Sequence, residues 1–151
     1  MGSIEILLAF SLGWVLAQGA KLVIAIIARK GKISLLELLK IVMKSGGMPS
    51  SHTACFTATA LTIGLRNGFH SDLFALAVAV TVVIVYDATN VRYAVGQQGK
   101  TLNKMIESSN SKLIKPLKVV EGHTVPQAII GFMVGVIATY LAQWMMNWLV
   151  F

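Results

Sequence analysis

Long apolar runs alternate with short basic stretches along this chain. Apolar residues dominate from Ile4 to Ala28, Thr53 to Leu65, Leu73 to Val85 and Gln127 to Phe151. A bilayer-crossing helix needs about 20 such residues, and the first and last runs supply them. The third is long enough only if Tyr86 to Tyr93 continues its helix. The second is short, so it must extend back into the Gly-Gly-Met-Pro segment before it or be partly re-entrant. Between the first two runs, Leu35 to Met43 interleaves leucine, isoleucine and valine with Glu37 and Lys40. That pattern suits a helix lying in the membrane interface. Gly96 to Gly122 is polar and reads as helix fragments and loop, with Pro116 breaking any long helix there. The expected fold is all-α: a polytopic membrane helix bundle of about four spans plus an interfacial or re-entrant segment. It forms a single integral membrane domain, residues 1–151.

Composition agrees with the pattern. The chain is 56% hydrophobic and only 13% charged, which is far from a typical soluble domain. The first run lacks a basic leading segment, and no polar mature region follows Gly19 and Ala20, so it reads as a retained helix rather than a cleaved signal.

Charge adds a direction. Eleven of the 13 lysines and arginines lie between the first and second runs or between the third and fourth. The positive-inside rule then expects both long loops in the cytoplasm and both termini outside. The net charge of +7 follows from this topology and from attraction to anionic headgroups. The expected partners are the lipid bilayer and a lipid substrate, and no nucleic acid, since basic and aromatic residues are not interleaved on a soluble fold. A homo-oligomer is compatible with the pattern. The lone Cys55 cannot form an internal disulfide and reads as a small packing residue.

The chemistry concentrates in Lys44-Ser-Gly-Gly-Met-Pro-Ser-Ser-His-Thr-Ala54. Gly46 and Gly47 let the backbone approach a ligand. Ser50 or Ser51 can cap the helix that follows, whose free N–H groups and partial positive charge suit phosphate. Lys44 adds a full charge, and His52 can give or take a proton near neutral pH. A second constellation, Tyr86-Asp-Ala-Thr-Asn-Val-Arg92, ends the third run. A carboxylate and a guanidinium are costly at a membrane boundary unless paired or functional, and the fork of Arg92 matches phosphate oxygens. By itself, such an arginine more often only snorkels to the headgroups. In a third, Glu121-Gly-His-Thr-Val-Pro-Gln127, His123 precedes a membrane helix on the same side as His52, with Pro126 in its first turn. His70 sits in the opposite connection and reads as a surface residue. No closely spaced carboxylates or histidines read as a metal site, and no cofactor is expected.

Taken in this order, Ser-Gly-Gly-Met-Pro-Ser-Ser-His-Thr-Ala, Tyr-Asp-Ala-x-x-Val-Arg and Gly-His-Thr resemble the divergent branch of the lipid phosphate phosphatases. That branch is related to type-2 phosphatidic acid phosphatases and vanadium haloperoxidases. The resemblance runs from about Lys21 to Gly135. It implies a metal-independent phosphatase acting on a lipid or prenyl phosphate. His123 would attack phosphorus and His52 would protonate the leaving group. Lys44, Ser50, Ser51, Arg92 and Lys21 would hold the phosphate.

Five departures from the family's motifs stand out, one of them Asn90 in place of the glycine that precedes Val-Arg. Ser51 replaces a glycine. Lys21 and Arg29 are separated by seven residues, not six, and no proline follows. Arg92 lies 31 residues before His123, where better-known members keep that pair close. Gln127 stands four residues after His123 where a carboxylate is usual. An acid there orients the imidazole and stabilises its positive charge, and in a serine-protease triad its loss costs about 10⁴ in turnover. Asp87 and Glu121 are the nearby acids able to substitute. Because of Gln127, a headgroup-binding protein with weak turnover is the first alternative function. An anion transporter is the second. Haloperoxidase chemistry is disfavoured, since those relatives are largely soluble.

Overall fold

The computed structural model describes residues 2–30, 33–43, 46–109 and 115–149. Among them are only helices and connecting segments. They are α1 (Gly2–Ala28), α2 (Leu35–Met43), α3 (Ser51–Asn67), α4 (Asp72–Tyr86), a π-helical turn (Asp87–Val91), α5 (Arg92–Ser108) and α6 (Val125–Leu149). Three stretches are long and apolar enough to cross a membrane: Ser3–Ala28, Asp72–Ser108 and Val125–Trp148. The third apolar run therefore does continue through Tyr86 to Tyr93, and the helix goes on into the polar segment as α5. The protein is an integral membrane protein with a polytopic helical bundle.

The second run solves its shortness differently from either expectation. It does not borrow the glycine segment. Ser50 caps α3 by accepting the Thr53 N–H, and the helix begins at Ser51. α3 runs through the middle of the bundle, packed against α1, α4 and α6. Ten of its 17 residues are buried. A helix shielded by other helices has no need of a lipid-facing apolar surface, so it can be short and threonine-rich. α4 is the reverse: none of its residues is buried, and its valines and leucines face outward.

Small residues allow this close packing, as is usual between membrane helices. Ala9, Ala54, Ala58, Ala138 and Ala142 are fully or almost fully buried. On α6, a Cβ at Gly131 would come within 2.5 Å of the Ser50 carbonyl oxygen, and one at Gly135 within 2.6 Å of the Ala54 carbonyl oxygen.

Side-chain pairings give the helix directions. Glu5 pairs with Arg66 at one end of the bundle. Lys21 reaches Ser51 at the other, so α1 and α3 are antiparallel. α6 runs parallel to α3: the Ser50 N–H donates to the Gln127 carbonyl, and Thr139 Oγ1 donates to the Ala58 carbonyl. The N-termini of α3 and α6 therefore meet at one end, beside the last turns of α1 and the π turn after α4. α2 lies over this end. It begins with a reciprocal cap, in which Ser34 N–H donates to Glu37 Oε2 and Glu37 N–H to Ser34 Oγ. Glu37 also bonds Arg29 at 2.7 Å.

Candidate functional site

His123 is carried by the non-helical segment before α6, and its placement depends on the π turn. In an α-helix, Arg92 N–H would bond the Ala88 carbonyl. Here it goes to Asp87, and the Ala88 carbonyl accepts the His123 N–H at 2.9 Å. Gly122 permits that docking. A Cβ there would collide with the backbone of Arg92 and Tyr93, so only glycine fits. π turns often sit at functional sites. This one seats His123, a role that the Tyr-Asp-Ala-Thr-Asn-Val-Arg motif did not disclose as sequence.

The His123 side chain is buried, 3% exposed. Its Nδ1 lies 3.3 Å from Gln127 Oε1. That oxygen also accepts the Thr124 backbone N–H at 3.1 Å, which fixes the orientation of the amide. An oxygen facing Nδ1 requires a proton on Nδ1. In the neutral ring Nε2 then carries the lone pair. Burial lowers the His123 pKa below the usual histidine value. The Gln127 bond opposes that shift, Lys21 and His52 add to it, and the Gly47 carbonyl also opposes it.

A cavity of about 300 Å³ opens beside the ring, with Gln18, Lys21, Gly46, Ser51, His52 and His123 among its lining residues. The His52 and His123 rings are 6.5 Å apart, edge to face. Lys21 is 7% exposed, and its Nζ lies 3.5 Å from Ser51 Oγ. Gly46 and Gly47 have φ of 91° and 80°, a left-handed conformation that other residues rarely adopt. A side chain at Gly46 would also strike Glu121 Cβ at 2.9 Å.

Several candidates stand elsewhere. Ser50, expected at the phosphate, is fully buried. Its hydroxyl is occupied as the α3 cap, accepting Thr53 N–H and Thr53 Oγ1. Ser51 therefore faces the cavity in its place. Arg92 bonds Asp87 at 2.6 Å, because a five-residue π turn brings both to one side. The pair lines a neighbouring cavity of about 390 Å³, which shares His52 with the first. Glu121 pairs with Lys100 at 3.0 Å. Gln127, and neither of the two acids expected to substitute for it, is the residue bonded to the imidazole. Lys44 lies outside the described residues. Among the described residues no group of three or more His, Cys, Asp or Glu is arranged to hold a metal.

Gln18 was not anticipated. The signal was present: a glutamine three residues before a lysine, on one face of an apolar helix. A cavity of about 630 Å³ between α3, α4 and α6 is almost wholly apolar and carries none of the candidate residues. No histidine, lysine, arginine or carboxylate lines it, so the smaller one is the candidate site.

The family described as "Divergent PAP2 family" matches residues 3–138. The chain belongs to that family. It is also 31% identical over 113 residues to the uncharacterized membrane protein YuiD of Bacillus subtilis (strain 168), covering 66% of this chain and 72% of the relative. No solved structure matches it. Family membership makes this a membrane protein related to phosphatases. Within it, the Gly-His-Thr and Pro-Ser-Ser-His segments supply the two histidines that share the small cavity.

Proposed function

We propose that this divergent PAP2 protein is a membrane phosphatase that hydrolyses a lipid or prenyl phosphate monoester through a phosphohistidine on His123. The observation that carries the reading is the Gln127 amide. Locked by Thr124 N–H, it holds the proton on His123 Nδ1 and leaves Nε2 as the nucleophile. His52 stands across the same cavity. Lys21 and Ser51 supply a cation and a hydroxyl to the phosphoryl oxygens, and the N-terminus of α3 adds its partial positive charge.

In the first step Nε2 bonds to phosphorus as the ester P–O bond breaks. Protonated His52 gives its proton to the departing alkoxide. In the second step water attacks phosphorus, the P–Nε2 bond breaks and returns its electron pair to His123, His52 takes the water's proton, and inorganic phosphate leaves. Arg92 bonds Asp87 through Nε, which leaves its terminal amino groups to take a phosphoryl oxygen from the neighbouring cavity that shares His52.

The test is phosphate release from purified protein in detergent, against a panel of lipid phosphates, with vanadate as a mimic of five-coordinate phosphorus. Release that vanadate inhibits is expected. A neutral partner at His123 favours a second reading, a headgroup-binding protein of weak turnover. Binding without release on every substrate would select it.

The charge bias places the site at the cytoplasmic face in this proposal, favouring substrates made there. A Gln98→Cys label in a Cys55→Ala background should react only from the inside. Labelling only from outside would move the site to the outer face.

A further inference from the structure

Four side chains of α1 line the candidate cavity in one stripe: Phe10, Trp14, Gln18 and Lys21. Read along the helix, they pass from apolar rings through a neutral amide to a cation. Phe10 and Trp14 are 39% and 46% exposed, so this end of the cavity is open to the apolar surroundings of the bundle. Lys21, next to Ser51 and the two histidines, is the phosphate end. Gln18 lies between, about 4.5 Å of helix rise before Lys21.

Gln18 is buried, 8% exposed. Its Nε2 donates to the Val42 carbonyl at 3.1 Å, which fixes the amide. Rotating it would face oxygen to oxygen. Its Oε1 is buried with no hydrogen-bond partner. A buried acceptor left empty is costly, and native proteins rarely keep one without use. What is missing is a donor.

We infer that Gln18 Oε1 accepts a hydrogen bond from a hydroxyl on the carbon next to the phosphate-bearing carbon of the substrate. This rests on the phosphatase reading of the site and narrows its substrate class. A phosphate ester of a partly substituted polyol headgroup or glycerol backbone has such a hydroxyl. A polyprenyl phosphate and a fully acylated glycerol phosphate do not. The stripe orders the substrate accordingly: chain along Phe10 and Trp14, hydroxyl at Gln18, phosphate at Lys21. A site built to bond a hydroxyl discriminates against the analogue that lacks it, because its own acceptor is then stranded.

The experiment compares 1-acylglycerol 3-phosphate with its 2-deoxy analogue of the same chain length, on full-length protein in detergent. Both kcat/KM and the ligand-induced rise in Tm are read for each ester. Wild type should prefer the hydroxylated ester by roughly tenfold, the worth of one neutral hydrogen bond. In Gln18→Met, similar in shape but without the acceptor, the ratio of the two esters' kcat/KM should fall to about one, whatever the variant's absolute rate. Equal treatment of the two esters by wild type overturns the inference. So does a preference that survives in Gln18→Met. If Gln18→Met weakens both esters equally, Gln18 bonds the phosphate's own proton, and the hydroxyl assignment is wrong. If neither ester releases phosphate, the phosphatase reading fails, and the Tm difference between the two esters still decides on Gln18. A variant that does not fold leaves the wild-type preference as the deciding measurement.

Discussion

His123→Ala is expected to lower phosphate release by at least about a thousandfold, the order seen when a nucleophile is removed from a preorganised site. No other described side chain pairs a lone-pair nitrogen with this cavity in the same way. His52 shares the cavity, but nothing comparable to Gln127 and Thr124 holds its tautomer among the contacts of the described residues. His52→Ala should keep slow phosphoenzyme formation with good leaving groups, since these need little protonation. The pH profile separates the two roles further. Burial, Lys21 and His52 lower the His123 pKa, against the opposing pull of Gln127 and Gly47. A depressed value keeps the imidazole neutral, and therefore nucleophilic, to lower pH. Phosphohistidine formation from an activated ester should thus hold through pH of about 6.5, the ordinary histidine value, and fall only below it. A half-loss at or above that value would remove His123 from the nucleophile's role, as would retention of most activity in His123→Ala.

The Gln127 series should give the second-largest effect, and in two directions. Gln127→Leu removes the acceptor for Nδ1–H and also strands the Thr124 N–H. The ring is then free to adopt the wrong tautomer or to turn away. A loss of about a hundredfold or more is expected, by analogy with the triad effect, which arises from the wrong tautomer. Gln127→Glu keeps an oxygen for both donors and adds a charge. Because the glutamine already holds the right tautomer, the gain comes from charge alone. A charge-assisted hydrogen bond is about twice as strong as a neutral one, which corresponds to an increase of about tenfold rather than the full triad factor. Asp87 and Glu121 pair with Arg92 and Lys100, so neither stands ready to mask that gain. Wild-type rates in both Gln127→Leu and Gln127→Glu on a confirmed substrate would mean that His123 needs no partner.

The helical membrane character of this protein was legible from its sequence, and so were the residues that gather at one end of the bundle. Both follow from one-dimensional facts. Apolar length decides whether a helix can cross a bilayer. Glycine, serine and histidine at a helix entrance carry their local conformational and proton-transfer chemistry wherever the chain puts them. His52, Ser51 and His123 were named this way, whereas Lys21 came only from the family resemblance, whose motif it matches poorly.

What remained hidden depended on which backbone groups meet across the bundle. Ser50 and Ser51 are indistinguishable as sequence, and only the turn of α3 makes one the cap and the other a wall of the cavity. The π turn cannot be read from Asp87-Ala-Thr-Asn-Val91, because its hydrogen bonds are exchanged with a segment more than thirty residues away. The same turn pairs Arg92 with Asp87 and puts both in the neighbouring cavity beside His52. Glu121 and Gln127 flank His123 almost equally in sequence. Yet one pairs with Lys100, and the other, a helical turn along from the ring, meets it. Gln18 drew no reading from the sequence, and only the fold puts one end of its amide on the Val42 carbonyl and leaves the other end without a partner. Helix length and local chemistry are properties of short segments. Hydrogen-bond partners are properties of the folded bundle, and they decide which of the candidate residues face the cavity.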